Sequence, residues 1–419
     1  MLDTALIRRL RLPGGRPFQL LITSQAVSSC GDWLYNVALL AFVYERTGSA
    51  TWVSLTTAAR LVPMVALGPL GGVLADRYDR RRLMVGADVI RAGLMVVLGI
   101  VAALGLPILL APVLAGAATA ASAVYPPCVA ACTARFVPGD ELQRANALRA
   151  GIGQAAVVVG PVLGAVAMLV AGPAVAILLN ALTFVASAFA ISAIRAGEKF
   201  AAPERAGEVE LPSVLAEIRT GARALRGAPT AIRLVAADVL CSAVYGMLTV
   251  TLVLISRKVG AGNGGYGLLL GGFGAGGVIG ATVTARLDAP SRWRGTLAVA
   301  MLLVGIPLVA LGVVPSLASA VVLAVLGGGG MIVGEVLGET ALPHMLDDHV
   351  LARAYGLVFP ISISGIVVGS LIAGPLVSVL GLTGALAVGG VAVLGIGAML
   401  VSRPLDVTAT ATAPMPAVG

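Results

Sequence analysis

The sequence predicts an all-α polytopic membrane protein with twelve transmembrane helices in two six-helix halves. Three observations carry that prediction: the scarcity of charge, the lengths of the apolar runs, and a repeat at half the chain length. Of 419 residues, 58% are hydrophobic and only 11% are charged, whereas soluble domains carry about 25% charged residues. Mean hydropathy is +0.99. A soluble chain of this size would need far more polar residues to cover its surface.

Charge clusters and Gly/Pro breaks cut the chain into twelve apolar runs, each close to the ~20 residues that cross a ~30 Å hydrocarbon core. A β-barrel would show ~10-residue alternating segments instead, and none appears. The first run, 18–44, follows the basic, amphipathic stretch "MLDTALIRRLRLPGGRPF". It is too long for the apolar core of a secretory signal and has no clear small-residue cleavage site, so it reads as a retained helix. The second run, 51–75, ends at a crowded knot of charge, "ADRYDRRR". Runs at 83–104, 107–133, 148–171 and 173–195 complete an N-terminal half, residues 1–195. Residues 196–230 are a long polar segment, and within them "LPSVLAEIRTGARALRGA" has a Pro-led start and helical apolar spacing. It is expected to lie along the cytoplasmic membrane surface rather than cross. The C-terminal half, 231–419, holds runs at 231–256, 265–286, 295–314, 316–342, 353–380 and 383–402.

Basic residues orient these runs. Both ends, the centre and the even-numbered gaps hold 24 of the 28 lysines and arginines, counting Arg91 just inside the third run. By the positive-inside bias, both termini face the cytoplasm of a cell inner membrane. The halves also repeat. A shift of 209 residues lays "ELQRANAL" (141–148) on "VLARAYGL" (350–357), Gly68, Gly71 and Arg77 on Gly277, Gly280 and Arg286, and Gly160 and Gly172 on Gly369 and Gly381. Two related six-helix halves around a central cavity are a recurrent secondary-transporter design, because halves rocking about one interface give alternating access.

Other function classes fit poorly. A net charge of +8 does not form a basic stripe, so no nucleic-acid partner is expected. Cys30, Cys128, Cys132 and Cys241 all lie inside apolar runs, and two histidines share one loop, so no metal cage is expected. No nucleophile–base pair or phosphate-binding loop is evident, so neither an enzyme nor a cofactor is expected.

At this point the charged knot acquires a context. "GGVLADRYDRRR" resembles the cytoplasmic loop signature of the major facilitator superfamily, Gly-x-x-x-Asp-Arg/Lys-x-Gly-Arg-Arg/Lys, through Gly72, Asp76, Arg77, Arg80 and Arg81. Asp79 stands where that signature has its second glycine. In the fifth run, "AVVVGPVLG" is similar to the superfamily's antiporter signature through Gly160, Pro161 and Gly164. The early "GDWLYNVALLAFVYERTGSA" resembles the drug and siderophore exporter branch, which includes macrolide-efflux-like and enterobactin-exporter-like proteins. The resemblance implies the twelve-helix fold and proton-driven export.

The knot has two readings. In one, Asp76 at the end of the second run accepts bonds from an arginine or a neighbouring helix, forming a cytoplasmic gate that Asp88 and Arg91 join at the start of the third. In the other, Arg80 and its neighbours are plain positive-inside charge around a turn. Gly160, Pro161 and Gly164 likewise suit either a leak-resisting contact in an antiporter or ordinary helix packing.

Ionisable groups at membrane depth are costly and face a cavity or a partner. Asp32 lies ~21 Å along the first run and Arg60 ~13 Å along the second, so these two are expected to pair, either permanently or until Asp32 takes a proton or a cationic substrate. Arginine stays charged and cannot carry the proton. Asp238 lies nearer the cytoplasmic end of the seventh run, as do Glu335 and Glu339 in the tenth. The last two share a helix face, where mutual repulsion suits a proton-holding site. With Gln25, Tyr35, Asn36, Tyr125, Asn180 and Tyr245, these acids supply polar points in an otherwise apolar cavity suited to an amphipathic compound.

The resulting expectation is a proton-coupled exporter of amphipathic small molecules, embedded in lipid and functional as a monomer. The alternatives are a dedicated siderophore, metabolite or lysolipid transporter and, in a different class, a non-transporting scaffold or sensor.

Overall fold

In the computed structural model, the described residues are 13–195, 197–201, 228–284, 292–342, 345–346 and 348–402. Residues 211–227 of the expected surface helix, the first twelve residues of the basic N-terminal stretch and Arg286 lie outside them. Eleven α-helices are described: α1 (Gly15–Thr47), α2 (Ala50–Arg77), α3 (Arg80–Leu104), α4 (Leu110–Ser122), α5 (Tyr125–Phe136), α6 (Leu142–Ser192), α7 (Pro229–Lys258), α8 (Gly262–Thr284), α9 (Trp293–Leu311), α10 (Leu317–Ala341) and α11 (Asp348–Ser402). With α4 and α5 taken as one interrupted span, ten of the described helices are long and apolar enough to cross a membrane. The protein is a multi-pass membrane protein.

Local chemistry marks where the helices start and stop. Asp79 caps α3 by accepting a bond from the Arg82 backbone N–H at 2.8 Å, and Gly105 ends it at φ 65°. The Asp79 that departs from the loop signature is therefore a helix cap, a role short polar side chains fill well. Gly48 closes α1 in the same left-handed region, where a Cβ would be strained.

The two longest helices are broken rather than continuous. Gly172 interrupts α6 at φ 76°, ψ 177°, and Gly381 interrupts α11 at φ 69°, ψ 171°. Those angles belong almost exclusively to glycine. The two are the pair that the 209-residue shift superposes.

The chain divides into two compact units. Met1–Gly48 and Ala59–Glu208 make one; Ser49–Ala58 and Val209–Gly419 make the other. In the first unit α6 packs along α1 and α3, and α3 packs on α4. In the second, α11 packs along α7 and α9, and α9 packs on α10, which is the same arrangement one repeat later. The contacts repeat in detail. A Cβ added to Gly160 of α6 would lie 2.4 Å from Trp33 Cβ and 2.9 Å from the Cys30 carbonyl of α1, and one on Gly369 of α11 would lie 1.8 Å from the Ala243 carbonyl of α7. Only glycine lets the backbones approach so closely.

Large apolar side chains stand exposed along the helices, among them Leu169, Val170 and Phe189. On a membrane protein this is the surface that lipid covers. Cys128, Cys132 and Cys241 are buried free thiols and Cys30 is partly buried, as their apolar setting suggests.

Candidate functional site

The first unit holds a cluster of charged and polar side chains drawn from four helices. Asp32 belongs to α1, Asp88 and Arg91 to α3, Tyr125 to the first turn of α5, and Phe184 and Ser187 to α6. Arg91 Nη2 donates to both Asp32 oxygens, at 2.8 and 2.7 Å. Its Nη1 stands 3.7 Å from Asp88 Oδ1, and its guanidinium lies 3.8 Å above the Phe184 ring centroid. Such stacking suits the flat, weakly hydrated guanidinium.

The two carboxylates sit in different surroundings. The Asp32 side chain is 36% exposed, whereas Asp88 is fully buried. Asp88 Oδ2 accepts from the Tyr125 hydroxyl at 3.2 Å, and that hydroxyl is 2.8 Å from Ser187 Oγ. Asp88 Oδ1 has no hydrogen-bond partner and faces the Arg91 guanidinium at 3.7 Å. One guanidinium thus serves two carboxylates, one reachable and one sealed.

The partner of Asp32 is therefore Arg91, not the expected Arg60. Arg60 instead donates to Asn36 Oδ1 and lies 5.1 Å over the Tyr35 ring. Asp88 and Arg91 were expected at the mouth of the bundle, yet α3 begins at Arg80, which carries them ~12 and ~16 Å inward at 1.5 Å per residue.

The remaining expected residues fall in several places. Asn180 is buried on α6; its Oδ1 accepts from Thr183 Oγ1 at 2.9 Å and its Nδ2 has no partner. Tyr35 OH and Gln25 Oε1 are likewise buried without hydrogen bonds. In the second unit Asp238 accepts from Ser362 Oγ, and the Tyr245 ring lies 5.6 Å from that of Phe273. Glu335 is partly buried on α10, and the Glu339 side chain is outside the described residues.

At the charged knot, Asp76 is mostly exposed and stands 3.6 Å from buried Arg80. Arg80 also donates to the Ala75 carbonyl at 3.1 Å and the Ala201 carbonyl at 3.3 Å. Arg81 donates to the Ser192 carbonyl, and Arg77 is exposed. Gly72 faces open space; it is Gly71 that meets a neighbour, where a Cβ would lie 2.1 Å from the Ala123 carbonyl. On α6, Gly160, Pro161 and Gly164 are all buried, and the two glycines lie against α1.

Phe184 and Ser187 escaped the reading of the sequence. Asn180, Phe184 and Ser187 are spaced by four and three residues and so share one helix face. Ser187 continues the polar spacing begun at Asn180, which is a signal in an apolar run, whereas Phe184 carries none.

Comparison with known proteins gives a consistent result. A family model described as transmembrane secretion effector matches residues 15–416. Macrolide efflux protein A of Streptococcus pyogenes is 30% identical over 149 residues, 35% of this chain and 37% of that protein, so the chain aligns with little more than a third of that relative. The multidrug efflux pump Tap of Mycolicibacterium fortuitum is 24% identical over 384 residues, 87% of this chain and 90% of that one. The crystal structure of the nucleoside transporter NupG superposes with a TM-score of 0.73, covering 92% of this chain and 98% of that chain at 9% identity. At that identity the likeness is one of fold.

Proposed function

The chain belongs to the transmembrane secretion effector family of the major facilitator superfamily, and from that premise we propose that it exports an amphipathic small molecule in exchange for protons by alternating access. On this reading α6 and α11 each cross the membrane twice, turning at Gly172 and Gly381, which makes twelve crossings with both termini in the cytoplasm. The protein works as a monomer in the cell inner membrane.

The observation that carries the proposal is the position of Arg91 between Asp32 and Asp88. Asp32 is the reachable carboxylate, so it is the one that takes the proton. Protonation removes its charge, and the guanidinium then answers to Asp88 alone. Phe184 keeps the guanidinium over the same ring while its partner changes. Asp88 is tied through Tyr125 to α5, and Tyr125 to α6 through Ser187, so one proton alters links among α1, α3, α5 and α6. Loss of the proton restores the pair with Asp32. Asn36, Tyr35 and Arg60 add a polar margin for cargo, alongside Gln25 and Asn180, whose unpaired atoms offer an acceptor and a donor. Asp238, Glu335, Glu339 and Tyr245 are subsidiary polar points of the second unit.

The ion pair of Asp76 with Arg80 acts as the cytoplasmic latch, with Arg77 and Arg81 beside it. Close contact of Gly160 and Gly164 with α1, next to Pro161, resists leakage when no cargo is bound. Macrolide and multidrug efflux by the relatives favours drug-like compounds over sugars, which need denser polar coordination than this cluster offers.

The test is a proton gradient imposed on proteoliposomes holding the purified protein, challenged with cationic amphipaths, siderophores and lysolipids in turn. Substrate-dependent proton movement that disappears in Asp32→Asn, with the variant still monodisperse, is expected. Movement preserved in Asp32→Asn would remove Asp32 from the coupling step. Silence towards every compound in folded protein would favour a narrow-substrate carrier or a sensor.

A further inference from the structure

A second feature of the first unit lies next to that latch and apart from the Asp32–Arg91–Asp88 cluster. Where α3 begins beside the end of α6, a cavity of about 580 Å³ opens at the surface. Arg81, Arg82, Val85, Gly86 and Phe200 line it. The one acid there, Asp79, is already engaged as the cap of α3.

The cavity is held in shape by bonds and contacts around its wall. Phe200 is buried and meets Phe136 edge to face at 5.2 Å. The chain just after it is pinned by Arg135, which donates to the Ala201 carbonyl at 2.7 Å, and by Arg80 on the same oxygen. Arg81 fastens the α6 side by donating to the Ser192 carbonyl.

What lies below the cavity decides its occupant. Arg82, Gly86, Ile90, Gly93 and Val97 recur at three- and four-residue spacing, so they share one face of α3. Ile90 and Val97 are exposed, and a Cβ on Gly86 or Gly93 would meet nothing within 4 Å. On α6 the exposed residues Phe189, Val185 and Leu182 descend from Ser192 in the same way. Gly99 of α3 lies against Leu178 of α6, so the two helices run side by side below the cavity. A basic pocket therefore opens onto an apolar, lipid-facing trough a few turns long. A free anion would use the pocket and leave the trough empty, and a lipid of zero net charge would fill the trough without neutralising the charge of the two arginines.

We propose that this is a binding site for one anionic phospholipid, its phosphate between Arg81 and Arg82 and an acyl chain in the trough over Gly86 and Gly93. Basic pockets between transmembrane helices hold anionic headgroups through charge-assisted bonds. The site is separate from the Asp32–Arg91–Asp88 cluster and does not depend on what the protein carries.

The experiment is thermal unfolding of the full chain in detergent, titrated with phosphatidylglycerol, with phosphatidylcholine of the same acyl chains, or with inorganic phosphate. Phosphatidylglycerol is expected to raise the midpoint saturably, while the other two leave it unchanged. Replacing both Arg81→Gln and Arg82→Gln is expected to raise the half-saturating phosphatidylglycerol concentration roughly tenfold or more. Gly86→Leu, which keeps both charges and fills open space, is expected to weaken the response as well. An equal shift with phosphatidylcholine, a shift with phosphate alone, or a phosphatidylglycerol response unchanged in both variants would overturn the proposal.

Discussion

Arg91 grips Asp32 with a single nitrogen, Nη2, 2.7 and 2.8 Å from the two carboxylate oxygens, and turns Nη1 towards Asp88 at 3.7 Å. The shorter contact is with the more exposed acid, while the sealed acid has the longer one. Asp88 therefore has more to lose than Asp32 if the arginine is removed. Arg91→Met is expected to destabilise the fold by about 3–5 kcal/mol, because it strands a buried charge. Adding Asp88→Asn should recover most of that loss, and adding Asp32→Asn much less. Unfolding midpoints of the three variants in detergent decide the matter.

The Tyr125 hydroxyl joins Asp88 to Ser187 across three helices. Tyr125→Phe keeps the ring and leaves Asp88 Oδ2 without its donor, which should cost about 1–3 kcal/mol. Ser187→Ala leaves the Tyr125–Asp88 bond in place and should cost less. Equal midpoints for the two variants would mean that the hydroxyl bond to Asp88 has no energetic weight.

Gly172 and Gly381 occupy backbone angles that other residues adopt only under strain, yet a Cβ at either would meet no neighbour within 4 Å. Any penalty on substitution is thus conformational rather than steric. Gly172→Ala and Gly381→Ala should each cost about 1–3 kcal/mol. Substituting Gly395, which is equally open but has no left-handed φ, should not. Thermal midpoints of the three alanine variants make the comparison.

Much of this was legible in the sequence, for identifiable reasons. Run length and charge placement follow directly from membrane thickness, so the helices appear near their expected limits. The 209-residue shift paired Gly172 with Gly381 before either was seen to be left-handed, because a backbone demand that only glycine meets survives when other positions drift. The partner of Asp32 was harder to read. Helical rise gives the depth of a residue but not the direction in which it faces, so depth favoured Arg60, and packing set Arg91 against Asp32 instead. The start of α3 bears on this too: the helix begins at Arg80 rather than 83, which sets Asp88 and Arg91 about 4.5 Å further from its N-terminal end. Phe184 was invisible because an aromatic ring in an apolar run gives no sign that it faces a cation. The knot of charge was read with its residues in place, but its odd member, Asp79, was read as a departure from a pattern rather than as a helix cap.

The burial of the thiols has a practical side. Three of the four cysteines are closed off by packing and Cys30 is only partly open, so the native chain is already close to a labelling blank. A single cysteine introduced at exposed Arg77 or Phe189 would carry nearly all of an added spin label or fluorophore. Movements of the α2–α3 end of the bundle can thus be followed in a protein that keeps every one of its own side chains but one.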